Sequence, residues 1–182
     1  MRPLKLSAAA FALSACVATA TSGETIHSED IYLRYNLLDA SQFAAAGGRI
    51  EVYGAPQNGA SAEEVAAALR LPAYLTPRDA TAVAQGAEGY RVALVFAPQA
   101  GISGASVCKG KAKGGQAGST TKVLAAFCRG EKTILSEARL EASGAFVPGA
   151  PAFQKGMSRL LKKVLPRKSP FDEGEGRRRI GG

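Results

Sequence analysis

Apolar and polar residues alternate along several short stretches of the chain, and this spacing predicts strands. Residues 90–97 are almost continuously apolar, which predicts a central strand buried on both faces. Residues 122–129 and 133–143 predict a hairpin that turns at Gly130-Glu131. Two further strands are predicted at residues 31–38 and 49–53. In the second hairpin strand we expect a core-facing row of Ile134, Ala138, Leu140 and Ala142, and a solvent-facing row of Leu135, Glu137, Arg139 and Glu141.

Four other segments have helical signals. Asp39 can cap a short helix that Gly47-Gly48 ends. Ser61-Ala-Glu-Glu64 is a capping-box sequence and predicts a helix of about ten residues. A proline at the first helical position predicts another helix over residues 77–86. Residues 151–165 form an amphipathic helix that we expect to dock on the sheet, with an anionic membrane as the alternative surface.

These elements predict an α+β fold with a single two-layer domain over residues 30–166. We expect a mainly antiparallel sheet of four or five strands, covered by two or three helices. Residues 1–15 are assigned to a signal peptide and residues 16–29 to a tether. Residues 167–182 are charged and glycine-rich, so a disordered basic tail is predicted there.

The N-terminus has the layout of an export signal. Arg2 and Lys5 precede an apolar run that ends at Leu13-Ser14-Ala15-Cys16. The run is far shorter than the roughly 20 residues of a spanning helix. The pattern resembles the lipobox of bacterial lipoproteins, in which the cysteine is lipidated before cleavage. Plain secretion and a cytoplasmic protein are the alternatives. By the same resemblance, Val17 in place of aspartate favours the outer membrane over the inner membrane.

Apart from Cys16, the chain has two cysteines, Cys108 and Cys128. An even number in an exported protein predicts a disulfide. A metal site is the weaker alternative, because two cysteines and one distant histidine are too few ligands. The segment between the cysteines is rich in glycine and lysine, so such a bridge would constrain a loop that has little core of its own.

Charge is unevenly distributed. Residues 16–154 contain twelve cations and twelve anions, whereas residues 155–182 contain nine cations and three anions, a net charge of +6. For an exported protein we expect the matching anions to be lipid headgroups, lipopolysaccharide or acidic protein surfaces rather than nucleic acid. A merely solvated tail is the alternative. The candidate anion-binding residues are Lys109, Lys111, Lys113, Lys122, Arg177, Arg178 and Arg179.

Catalytic motifs are incomplete. The stretch Gly110–Gln116 has glutamine where a phosphate-binding loop requires lysine. Residues 101–105 lack the second glycine of a serine-hydrolase elbow. The single histidine, His27, falls in the assigned tether. The sequence therefore favours a protein without catalytic residues, metal or cofactor, and a carboxylate-based hydrolase is a further alternative.

The strings at residues 90–97, 123–130 and 151–166 resemble those of uncharacterised small lipoproteins and secreted proteins of alphaproteobacteria. The resemblance implies a location in the cell envelope and leaves the activity open. We therefore expect a lipid-anchored, periplasm-facing protein that binds or scaffolds an envelope partner. The alternative is a periplasmic binding module that holds a small or anionic ligand with the loop 109–122.

Overall fold

The computed structural model describes residues 23–169 and residue 171. In chain order its elements are β1 (Glu24–Ile31), α1 (Leu37–Ala45), β2 (Arg49–Tyr53), α2 (Ala62–Ala67), β3 (Thr81–Val83), β4 (Tyr90–Phe96), α3 (Gly104–Cys108), β5 (Thr120–Arg129), β6 (Thr133–Ser143) and α4 (Pro151–Val164). Helices and strands are both present, in agreement with the predicted α+β class. None of the described helices combines the length and apolar character that crossing a membrane requires.

The described strands form one six-stranded sheet in the order β1-β6-β5-β4-β2-β3. The pairs β1/β6, β6/β5 and β5/β4 are antiparallel, and the pairs β4/β2 and β2/β3 are parallel. The sheet thus has more strands than the predicted four or five, because both edge strands lie where the sequence indicates no strand. β4 lies inside the sheet and is buried on both faces, as its continuous apolar character predicts.

Helices cover both faces of the sheet, so the predicted two-layer arrangement is incomplete. Val92, Leu94 and Phe96 of β4 point into the main core, which α1, α2 and α4 close. Ala93 and Val95 point to the opposite face, where α3 and the loop after it form a smaller core. This alternation follows from the period of two along a strand.

α4 packs on the sheet, as expected from its amphipathic pattern. Its buried stripe comprises Phe153, Gly156, Met157, Leu160, Leu161 and Val164. Two lysines at its edge form ion pairs with the edge strand, Lys155 with Glu24 at 2.9 Å and Lys163 with Glu29 at 2.6 Å. The hydroxyl of Ser136, a polar residue on the inner row of β6, donates to the carbonyl of Val164.

Three local predictions are wrong. Residues 24–29 belong to β1 rather than to a tether, because they pair with β6 and their acids contact α4. Most of the predicted strand 31–38 is instead a loop and the start of α1, which Asn36 caps in place of Asp39. The predicted helix 77–86 is replaced by β3, which pairs with β2.

Beyond Ser136 the predicted alternation of faces in β6 is correct, except that Glu137 is buried and accepts from the Gly104 N–H instead of facing solvent. Before Ser136 the predicted faces are wrong. A bulge shifts the register, so that Phe127 pairs with Ser136 while Cys128 pairs with Ile134. The extra residue, Leu135, therefore lies in the main core, and Ile134 contacts the smaller core. One inserted residue exchanges the two faces of a strand.

Candidate functional site

The sheet has two ends that carry different features. At the first, which we call the entry end, Gly23 precedes β1 and its carbonyl accepts a bond from the Ser143 N–H at the end of β6. β2 and β4 also end there, because both run parallel to β6. At the opposite end, the hairpin end, β1 stops at Ile31 and residues 130–132 connect β5 to β6.

The hairpin end carries an apolar patch. Among the described residues, the exposed large hydrophobic side chains are Tyr32, Leu33, Leu37, Leu38 and Phe171. Four of them lie between the end of β1 and the first turn of α1, where Leu33 is 78% exposed and Leu38 is 64% exposed. Such a grouping of apolar side chains on a surface is typical of an interaction site. We call Tyr32, Leu33, Leu37 and Leu38 the apolar patch.

Tyr35 holds the patch in its outward position. Its side chain is buried, and its ring lies edge-on against Phe127 with centroids 6.2 Å apart. Its hydroxyl donates to the carbonyl of Pro166, which ties the β1–α1 connection to the segment after α4. Asn36 then caps α1 through a reciprocal bond with Asp39. Because Tyr35 points inward, the residues on both sides of it are left at the surface.

Asp39 also fixes this end of the domain. Its carboxylate is almost fully buried and accepts bonds from the Tyr90 hydroxyl at 2.8 Å and from Arg129 Nη1 at 3.1 Å. Burial raises the pKa of Tyr90, and the neighbouring Asp39 carboxylate raises it further. These bonds attach the first turn of α1 to β4 and β5, so α1 presents Leu37 and Leu38 from a rigid base.

Three cations lie near the apolar patch: Arg34 follows Leu33 in sequence, and Arg167 and Lys168 follow Pro166, whose carbonyl binds Tyr35. Arg34, Arg167 and Lys168 are exposed, and none of them forms an ion pair with another described residue. We call these three residues the basic rim. Asp30 is an exposed carboxylate nearby in sequence. Burial raises the pKa of Tyr32, with smaller contributions from the charges of Glu137 and Asp30.

A buried polar network occupies the second face of the sheet. Glu51 and Arg91 form an ion pair of 2.7 Å with both side chains at most 1% exposed. Glu51 also accepts from the Tyr53 hydroxyl at 2.8 Å and from the Gly86 N–H. Burial and the bond to Glu51 raise the pKa of Tyr53. The carboxylate therefore has three donors, which offset part of the cost of burying it.

Arg91 joins three elements beyond this ion pair. Nη1 donates to the carbonyl of Gly130 at 2.7 Å, and Nη2 donates to the carbonyl of Cys108 at 2.9 Å. The guanidinium thus connects β4 to the hairpin turn and to the end of α3. The carbonyl of Cys108 is at the C-terminal end of α3, a position that favours a cation.

Next to this guanidinium lies a small cavity of about 210 Å³. It is lined by Gly86, Arg91, Cys108, Lys109, Gly110, Glu131 and Lys132. Two lysines and one glutamate give the opening of this cavity a net positive charge. A volume of this size suits a small anion rather than a large organic ligand.

The structure places Cys108 and Cys128 in a disulfide, with Cα atoms 5.5 Å apart. This separation lies within the range that disulfides adopt. The bridge joins α3 to β5, and both cysteines are fully buried. Cys16 and Arg177, Arg178 and Arg179 lie outside the described residues.

The predicted anion-binding lysines are not brought together. Lys109 lies at the cavity near the hairpin end, whereas Lys122 lies on β5 near the entry end and pairs with Glu141 at 3.6 Å. Lys111 and Lys113 are exposed on the loop that runs between these positions. The loop 109–122 therefore does not form one anion site with all four lysines.

Glycines in this loop have a structural role. The Gly115 N–H donates to the carbonyl of Phe96 at 3.0 Å, and Ala55 donates to the Gly115 carbonyl at 2.9 Å. A Cβ on Gly114 would lie 2.6 Å from the carbonyl of Tyr53. The loop thus closes the carboxyl ends of β2 and β4, which is where open α/β sheets often bind ligands.

Comparison of the chain with protein-family models, with curated proteins and with solved structures found no match. Among the described residues there is also no group of three or more His, Cys, Asp or Glu that could hold a metal ion. His27 lies in β1, where its Nε2 is 3.5 Å from Glu141. The sequence does not reveal the apolar patch, because the same leucines fit the pattern of a strand over residues 31–38.

Proposed function

We propose that this chain is a lipid-anchored envelope protein, attached through Cys16, that binds or scaffolds a partner without catalysing a reaction. The main support for the proposal is that the point where the chain enters the sheet and the apolar patch lie at opposite ends of the sheet. The chain enters β1 at one end, and the apolar patch lies at the other. The resemblance to alphaproteobacterial lipoproteins supports the same location.

Chain length supports an orientation with the patch away from the anchoring membrane. Seven residues separate Cys16 from β1, and an extended chain of that length spans at most about 25 Å. β1, which separates the entry end from the patch, has eight residues, and strands rise about 3.3 Å per residue, so the patch lies about 26 Å from the point of entry. A domain whose entry end faces the anchoring membrane would present the patch to the periplasm.

The disulfide supports export independently of the signal. Cys108 and Cys128 are the only cysteines besides the proposed lipidation site, and they are paired. Disulfides persist in oxidising compartments and are rare in the cytosol. We favour the outer membrane over the inner membrane, as the residue after Cys16 indicates.

The anchor is tested by replacing Cys16 with serine in the full chain, expressed in cells fed radiolabelled palmitate. We expect the variant to lose the label and to accumulate as the uncleaved precursor. A matched Ser14→Ala variant, which keeps the cysteine and a small residue before it, should be labelled and processed. Unchanged labelling of the Cys16→Ser variant would refute the anchor, and density fractionation of the membranes tests the choice of membrane.

A second candidate function is the binding of a small anion in the cavity beside Arg91. The observation that favours it is the convergence of Arg91, Lys109 and Lys132 on one small space. Titration with inorganic phosphate tests it. Saturable binding that is lost in the Lys109→Gln/Lys132→Gln variant, and kept in the Lys111→Gln/Lys113→Gln variant, would support this function. Equal binding by both variants would contradict it.

A further inference from the structure

We propose that the apolar patch and its basic rim bind an acidic amphipathic segment of a partner protein. This inference rests on the proposed function, since it names the chemistry of the partner that the anchored domain holds. The patch supplies the apolar surface, and the rim supplies the charge that selects the partner. Tyrosine and arginine, which the patch and the rim contribute, are enriched in such interfaces.

The rim residues belong to the described cations that form no ion pair, as do the control residues Lys111 and Lys113. Along β1 and α4, Lys155 and Lys163 are paired with Glu24 and Glu29. At the hairpin end, Arg129 is paired with the buried Asp39. The three rim residues lie at the same end and form no ion pair with a described residue. Their charges are therefore available to carboxylates from another molecule.

This charge argues against a second copy of the chain as the occupant. A symmetric dimer through the patch would bring Arg34, Arg167 and Lys168 of both copies together, and like charges across an interface are unfavourable. The chain beyond Phe171 contains three arginines and three acids, so it has no excess of the negative charge that the rim requires.

Geometry favours a protein over the anchoring bilayer. The patch begins where β1 ends, and the eight residues of β1 place it about 26 Å from the point where the tether enters. The tether reaches at most about 25 Å. Contact between the patch and that bilayer would require either a domain that lies flat along β1 or a fully extended tether. A domain whose entry end faces that bilayer instead offers the patch to a protein in the periplasm.

The test is photocrosslinking in cells with the full-length protein. Benzoylphenylalanine is incorporated at position 33 or 38 in the patch, and at position 58 or 113 as controls near the entry end, all of which are exposed. We expect one protein to crosslink from positions 33 and 38 and from neither control. Mass spectrometry of the adduct should place the contact on a segment with acidic residues interleaved with apolar ones at helical or strand spacing.

Charge reversal supplies the matched comparison. The Arg34→Glu/Lys168→Glu variant should reduce the adduct by about tenfold, because like charges then face each other. The Lys111→Glu/Lys113→Glu variant makes the same change in net charge elsewhere and should leave the adduct unchanged. Circular dichroism of both variants confirms that the fold is kept.

Four results would overturn the proposal. Two concern what is crosslinked: adducts with phospholipid instead of protein, or adducts within the chain that disappear when residues 172–182 are removed. The other two are a contact segment without acidic residues and an equal loss of adduct in the two charge variants. Palmitate labelling is measured in the same cells. Loss of the adduct with intact labelling refutes the patch proposal alone, whereas missing label with an intact adduct refutes the anchor alone.

Discussion

Replacing Arg91 with methionine removes the cation of the buried ion pair and keeps a long apolar side chain in its place. The Glu51 carboxylate would then remain buried with only the Tyr53 hydroxyl and the Gly86 N–H as donors. The carbonyls of Cys108 and Gly130 would each lose a donor. Breaking a buried pair in this way costs about 3–5 kcal/mol.

This loss is large compared with the total stability of a small domain, which is about 5–15 kcal/mol. We expect urea unfolding followed by circular dichroism to show a much lower midpoint for Arg91→Met. The Glu51→Gln/Arg91→Met double variant should recover part of the stability. No carboxylate is left without a cation there, and the amide oxygen still accepts from Tyr53 and Gly86.

An exposed ion pair of the same type provides the control. Arg70 and Asp79 are 3.4 Å apart with side chains 61% and 81% exposed. Such surface pairs contribute about 0–1 kcal/mol, so Arg70→Met should change the unfolding free energy little. If Arg70→Met and Arg91→Met lose the same free energy, or if the double variant is less stable than Arg91→Met, the argument from burial is refuted.

Three other substitutions give separate tests by thermal or urea unfolding. Replacing Cys108 and Cys128 with alanine removes a disulfide with a sequence separation of 20, and the free energy of unfolding should fall by about 3 kcal/mol by the loop-entropy relation. An equally stable variant would show that the disulfide does not contribute to stability. Gly114→Ala places a Cβ against the backbone of β2 and should cost about 1–3 kcal/mol, whereas Gly118→Ala meets nothing within 4 Å and should be neutral. The Tyr74 hydroxyl is buried without a hydrogen-bond partner among the described residues, so Tyr74→Phe should be neutral or stabilising. Burial also raises the pKa of Tyr74 to about 12. The unfolded chain therefore ionises this tyrosine first above pH 10, and Tyr74→Phe should weaken the loss of stability there.

Strong local patterns predicted the centre of the fold. β4, the hairpin of β5 and β6, the amphipathic α4 and the capping box at Ser61 are all present in the structure. Each of these elements has an apolar pattern or a capping sequence that is complete within its own residues. Their packing therefore agrees with what the local sequence favours.

The edges of the sheet could not be predicted in the same way. The sequence of β1 is mostly polar, and the strand is stabilised by pairing with β6 and by ion pairs with α4. β3 has three residues and depends on β2 for its pairing. Such strands are determined by partners distant in sequence, which a local pattern does not contain.

The candidate site was hidden for a related reason. Tyr32, Leu33, Leu37 and Leu38 are apolar, so the sequence suggested that they contribute to a strand. Their exposure depends on Tyr35, which binds Pro166 more than a hundred residues away. The buried pair of Glu51 and Arg91 likewise joins two parallel strands, and neither residue has a sequence motif.

The position of β1 has a mechanical consequence for an anchored protein that holds a partner. The tether joins one end of this strand, and the first residues of the apolar patch follow directly at the other end. Tension between the membrane and a partner bound at Tyr32 and Leu33 would therefore run along the covalent backbone of β1. The hydrogen bonds between β1 and β6 would not carry this force, so pulling on the partner would not require β1 to separate from the sheet.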